Sequence, residues 1–237
     1  MKVLALSSSR VGNGGYLESA RSLIEELLGT EGLTIAFIPF ASVQTNYEEY
    51  GNMVKQALKG LPYIITTAMN DEGKAVIEAA DVIMVGGGNT FKLLHDIYDL
   101  DLFHIIQTKV RTGTPYIGWS AGANLCGRTI STTNDMPIIQ PRSFEAFGFF
   151  PFQVNPHYLN QKIEGHNGET RDQRLEEFLV LNPSIPIIGM PEGTALRLNN
   201  GELQFIGDKE GVYFEGHQGR IPSKGPVKPG DSLSHLL

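Results

Sequence analysis

The chain has 237 residues, 41% of them hydrophobic and 19% charged, the balance of a soluble protein long enough to bury a substantial core in one large domain. A net charge of −7 without any cluster of Lys or Arg argues against nucleic acid as a partner. A single cysteine rules out an internal disulfide, and no apolar run approaches the roughly 20 residues of a membrane helix, so a cytoplasmic protein without membrane partners is expected.

The first segment, MKVLALSSSR, has too short an apolar run for a signal peptide and contains instead a buried strand, VLALSSS (3 to 9). Leu17, Ala20, Ile24, Leu27 and Leu28 then recur at helical spacing, with Gly29 as the stop. TIAFIPF (34 to 40), YIITTA (63 to 68), DVIMVGGG (81 to 88) and PYIGWSAG (115 to 122) read as further buried strands, separated by helical patterns at 46 to 59, 71 to 80 and 90 to 112. Such alternation predicts an α/β fold, a doubly wound and largely parallel sheet with helices on both faces. FQVNPH, with Phe152 and Val154 alternating, and IPIIGMP before Glu192 read as two more strand ends. Asn200-Gly201 between alternating runs predicts a C-terminal antiparallel hairpin appendage, and GVYFEGHQGRI a further strand pair. Residues 1–221 are thus expected to form a single hydrolytic domain. Residues 222–237, rich in Pro, Gly and Ser, read as a loosely held tail.

Chemistry concentrates at the carboxyl ends of these strands. YIGWSAGANL (116 to 125) places Ser120 as Gly-x-Ser-x-Gly between a strand and a helix-compatible run, the setting of a nucleophile elbow; the plainer alternative is an inert serine in a tight turn. A serine needs a base, itself oriented by a third group. His157 ends a strand on the expected carboxyl edge, with His166 as the fallback; His95, His104, His217 and His235 lie in helical, hairpin or tail contexts. Asp135 and Glu192 both compete for the orienting role, and the residue pattern does not separate them. Gly86-Gly87-Gly88-Asn89-Thr90 offers exposed backbone N–H groups, so Gly88 and Ala121 are the expected oxyanion donors. The spacings of a phosphate-binding loop and the H-E-x-x-H of a metal site are absent from the sequence, and no cofactor is expected.

The motifs IPFA (38 to 41), VGGGNTF (85 to 91), YIGWSAGANL, TTNDMPI (132 to 138), NPH (155 to 157), GETR (168 to 171) and PEG (191 to 193) resemble, in order, those of the peptidase E family, the α-aspartyl dipeptidases. The resemblance implies a serine peptidase on a fold like that of class I glutamine amidotransferases, cleaving dipeptides after an N-terminal aspartate, with a homodimer as the expected assembly. It implies the order nucleophile, His, acid, which favours Glu192, while Asp135 also has an active-site role in that family. A rival of the same fold is an amidase or a cyanophycinase-like hydrolase, and a rival of another class is a non-catalytic ligand-binding protein. In GETRDQRLEEFLV, Thr170 and Gln173 fit a capping box that puts Arg171 in the first helical turn, where a cation is unfavourable unless it meets an anion. Together with the resemblance, this marks Arg171 as the reader of the aspartyl side chain, with Asn89 as a second donor.

Overall fold

The computed structural model of the protein describes every residue except 70, 71, 163 and 166. Seven strands form the larger sheet: β1 (Lys2–Leu6), β2 (Leu33–Ile38), β3 (Tyr63–Thr67), β4 (Val82–Val85), β5 (Tyr116–Trp119), β8 (Ala195–Asn199) and β9 (Glu202–Ile206). Their order is β3-β2-β4-β5-β1-β8-β9. The pairs from β3 to β1 are parallel, and β8 and β9 continue the sheet antiparallel beyond β1. The expected doubly wound sheet is therefore present. The expected antiparallel hairpin at Asn200-Gly201 is present as well, its first strand pairing along β1 so that it prolongs the main sheet.

Successive residues of each strand point to opposite faces, and both faces are covered, which is why these segments read as unbroken apolar runs. On one face Leu4, Phe37, Met84 and Trp119 pack with α1 (Arg21–Leu28) and α2 (Tyr47–Ala57). On the other, Val3, Ile38, Val85 and Tyr116 pack against α3 (Gly73–Ala79), α4 (Thr90–Asp99), α5 (Phe103–Arg111) and α6 (Ala121–Asn124). The continuous helical pattern at 90 to 112 is two helices. Asp101, at a φ of 53°, turns the chain between them while Leu102 and Phe103 keep the apolar period going.

A second sheet holds β6 (Gln153–Asn155), β7 (Ile187–Gly189), β10 (Gly211–Glu215) and β11 (Ser223–Val227), in the order β11-β10-β7-β6. Helix α7 (Arg171–Leu181) covers it through Leu175 and Leu179, which meet Ile187 and Phe214. The segment from 222 onward is not loose. Its strand β11 pairs with β10, Val227 and Leu233 are buried, and Leu233 N–H donates to Leu203 O of β9 at 2.8 Å. Gly225 and Pro226 gave the segment a loop-like composition, yet β11 is an edge strand, where a proline's missing N–H is tolerated.

Candidate active site

The site lies where the carboxyl ends of the two sheets meet. Ser120 follows β5 with φ 53° and ψ −112°, a sparsely populated conformation for a residue with a side chain. The strain is held by close packing: a Cβ on Gly122 would lie 2.3 Å from Val85 O, and one on Gly87 would lie 2.9 Å from the Ser120 Cβ. The elbow expected from the sequence is thus formed. His157, just past β6, also has a positive φ of 51°. It belongs to the second sheet rather than to the edge that carries Ser120, and Ser7 at the end of β1 ties the two sheets together. The Ser7 Oγ accepts the His157 N–H at 2.9 Å and donates to Met190 O at 2.7 Å.

The His157 Nε2 lies 2.9 Å from the Ser120 Oγ, and its Nδ1 lies 2.8 Å from the Glu192 Oε1. A carboxylate only accepts, so the neutral ring carries its proton on Nδ1 and offers Nε2 as the acceptor for the serine proton. The sequence left two carboxylates open, and the geometry separates them. Asp135 makes no hydrogen bond to His157. Its Oδ2 accepts from the Thr90 N–H at 2.7 Å, the Thr90 Oγ1 at 2.6 Å and the Thr133 Oγ1 at 3.3 Å, at the N-terminus of α4. Asp135 Oδ1 has no hydrogen-bond partner among the described residues. His166 lies outside the described residues. Cys126 is fully buried, and burial pushes its thiol pKa up, which leaves it inert beside the elbow.

Two cavities meet at Ser120 and His157. One, of about 240 Å³, is lined by Thr133, Asn134, Asp135 and Arg171. The other, of about 410 Å³, is lined by Tyr16, Val43, Tyr50, Met53, Gly88 and Trp119. Arg171 opens α7 after the capping box formed by Thr170 and Gln173, as the sequence predicts. Its guanidinium is half-buried, and burial reinforced by the Arg174 charge lowers its pKa. Its hydrogen bond is a long one, to Asn155 Oδ1 at 3.4 Å. The adjacent Asp172 is not its partner, since that carboxylate receives Tyr158, Asn160 and Lys224. Among the described residues, then, no carboxylate neutralises Arg171. Asn89 is not beside it: it lines the larger cavity, its Oδ1 caps α4 by accepting from Lys92 N–H at 3.0 Å, and its Nδ2 donates to Met136 O at 2.9 Å. What separates Asn89 from Arg171 is therefore position: its side chain is fastened at the N-terminus of α4 on the side of the larger cavity, while Arg171 lines the smaller one.

Gly88 and Ala121 both border the serine, and among the described residues neither N–H has a protein acceptor. The sequence reading missed Ser7, Asn134 and Asn155. Asn155 sits inside the NPH motif and donates to Thr132 O at 2.7 Å and Asn134 Oδ1 at 2.9 Å, fixing the loop that carries Asp135. Among the described residues no group of three His, Cys, Asp or Glu is placed to hold a metal ion, and no helix is long and apolar enough to cross a membrane.

Known proteins are similar to the chain over most of its length. The sequence profile of Peptidase family S51 matches residues 3–206. Peptidase E of Shewanella denitrificans is 48% identical over 238 residues, covering 100% of this chain and 99% of that protein. Peptidase E of Haemophilus influenzae is 48% identical over 214 residues, 90% of this chain and 97% of that one. In fold, the chain resembles a putative peptidase E from Listeria monocytogenes with a TM-score of 0.66 at 22% identity, covering 88% of this chain and 98% of that one. It resembles a peptidase from an acI-B1 Actinobacterium with a TM-score of 0.67 at 21% identity, covering 98% and 96%. With a profile match over most of its length and relatives this similar from end to end, the chain belongs to peptidase family S51.

Proposed function

We propose that the protein hydrolyses dipeptides with an N-terminal aspartate through an aspartyl-enzyme formed on Ser120. Membership of peptidase family S51 makes the chain a peptide hydrolase. The observation that carries the finer reading is the relay Ser120–His157–Glu192 standing between two cavities, one of which holds a carboxylate and an arginine that no carboxylate among the described residues neutralises. The smaller cavity suits an aspartyl residue: Arg171 meets the side-chain carboxylate with a planar fork, and the free Asp135 Oδ1 meets the α-ammonium. At 240 Å³ it has room for one small residue, and the neighbouring cavity takes the leaving amino acid.

In this reading His157 Nε2 takes the Ser120 proton as Oγ bonds the aspartyl carbonyl carbon. The N–H groups of Gly88 and Ala121 stabilise the oxyanion, and Glu192 stabilises the imidazolium. His157 then gives that proton to the leaving nitrogen as the C–N bond breaks. Water, deprotonated by His157, attacks the acyl carbon, and Ser120 departs with its proton restored. Hydrolysis of an X-Leu dipeptide panel tests the specificity: Asp-Leu should be cleaved far faster than Asn-Leu, Glu-Leu and Ala-Leu. Equal rates across the panel would discard the aspartyl reading.

A further inference from the structure

Three aromatic side chains behind the larger cavity carry polar heads that touch one another. Trp119 Nε1 lies 2.9 Å from the Tyr16 hydroxyl and 3.2 Å from that of Tyr50, the Tyr16 hydroxyl lies 3.0 Å from the Tyr50 hydroxyl, and the Tyr50 hydroxyl lies 3.0 Å from Gly87 O. The direction of the protons is forced by the two ends. An indole N–H only donates and a carbonyl only accepts, so the chain runs from Trp119 through Tyr16 to Tyr50 and ends as a donor to Gly87. Burial raises the pKa of both tyrosines, which keeps their protons in place. Phenylalanine would fill the same core without polar heads to satisfy, and Phe37 already packs edge-on against Tyr50 at 4.9 Å.

The carbonyl of Gly87 and the N–H of Gly88 belong to one peptide group. A donor on that oxygen polarises the amide and strengthens its N–H as a donor, and it also fixes the plane of a peptide flanked by two glycines. The same stretch is tightly enclosed: a Cβ on Gly86 would lie 2.6 Å from the Tyr50 hydroxyl, and Gly88, at φ 141°, would place one 2.2 Å from Ala41 O. Trp119, the first donor, immediately precedes Ser120, so nucleophile and oxyanion loop are fastened to the same aromatic cluster.

We propose that Tyr50 is a positioning residue of the oxyanion site, acting through the Gly87–Gly88 peptide with Tyr16 and Trp119 behind it. The inference rests on the reading of Gly88 as an oxyanion donor. It is tested with Tyr50→Phe, assayed on Asp-Leu and against two ligands: the boronic acid analogue of aspartate, which forms a tetrahedral adduct on Ser120, and a reduced-amide Asp-Leu, which has no carbonyl to become an oxyanion. Losing an oxyanion donor outright costs roughly 10²–10³ in kcat, so losing its support should cost about tenfold, with KM nearly unchanged. Boronate affinity should fall by the same factor while reduced-amide affinity stays as in the wild type. Unchanged kcat and boronate affinity, or an equal loss for both ligands, would overturn the proposal, the second because it marks a merely loosened pocket. Should Tyr50→Phe fail to fold, Tyr16→Phe removes the preceding donor and should shift kcat and boronate affinity in the same sense by a smaller factor; no shift overturns the proposal equally. The proposed serine mechanism, on which the Gly88 reading depends, fails separately, if the boronate binds Ser120→Ala as tightly as the wild type.

Discussion

Replacing Arg171 by Met removes the charge that distinguishes the smaller cavity while keeping much of the side chain's length. In the protein without substrate, little is lost. Among the described residues the guanidinium makes one long hydrogen bond, at 3.4 Å to Asn155, and the nearby Asp172 is already held by Tyr158, Asn160 and Lys224. Thermal stability should therefore hold. With an aspartyl substrate the cost is of another kind, because a carboxylate desolvated in this half-buried place faces no cation. A charged hydrogen bond contributes about 1.5–3 kcal/mol, and stranding the charge adds to that. At about 1.36 kcal/mol per tenfold, kcat/KM for Asp-Leu should fall about 10²-fold. Asn-Leu, which never used the charge, should be affected far less, so the ratio of the two measured under identical conditions isolates the effect. Arg171→Lys should lie between, since an ammonium restores charge without the fork. Full retention of the Asp-Leu preference in Arg171→Met would refute the reasoning and leave the arginine a surface residue.

Glu192 and His157 are each half exposed, so the lower end of the range for a charged hydrogen bond applies, and Glu192→Gln should lower kcat about tenfold or more. An unchanged kcat would remove Glu192 from the relay. Asp135→Asn should instead act mainly on KM, through the substrate ammonium, and should also lower the melting temperature because the carboxylate caps α4 through Thr90; a kcat loss exceeding that of Glu192→Gln would reverse the two roles. Exhaustive dialysis against EDTA should leave Asp-Leu hydrolysis intact, because every step is assigned to side chains and backbone. Activity lost and then restored by zinc would contradict that assignment.

Much of this arrangement was legible in the sequence because it is written locally. Parallel strands buried on both faces must be apolar throughout, and β1, β2, β4 and β5 were found on that ground alone. The elbow needs small residues on both sides of Ser120, and the capping box at Thr170 needs Gln173 three positions on; both are spacing rules. What stayed hidden depends on contacts between distant segments. Nothing near Glu192 or Asp135 tells which will meet His157, since that is decided by how β7 docks beside β6 and by Thr90 claiming Asp135. The strands at FQVNPH, IPIIGMP and GVYFE were legible, but not that they form a second sheet, because the pairing of β6 with β7 and of β7 with β10 joins segments far apart in the chain. Asn89 was misjudged because a helix cap and a ligand donor look alike in sequence, and β11 because edge pairing overrides composition. The Trp119–Tyr16–Tyr50 cluster joins residues 103 and 34 positions apart, beyond the reach of any periodicity.

The central claim is that Ser120, activated by His157, is the nucleophile, and covalent labelling with a fluorophosphonate tests it most directly. Peptide mapping by mass spectrometry should find a single adduct, on the peptide that carries Ser120, formed in step with the loss of Asp-Leu hydrolysis and nearly abolished in His157→Ala. An enzyme that remains active while fully labelled, or one that loses activity with Ser120 unmodified, would contradict the account.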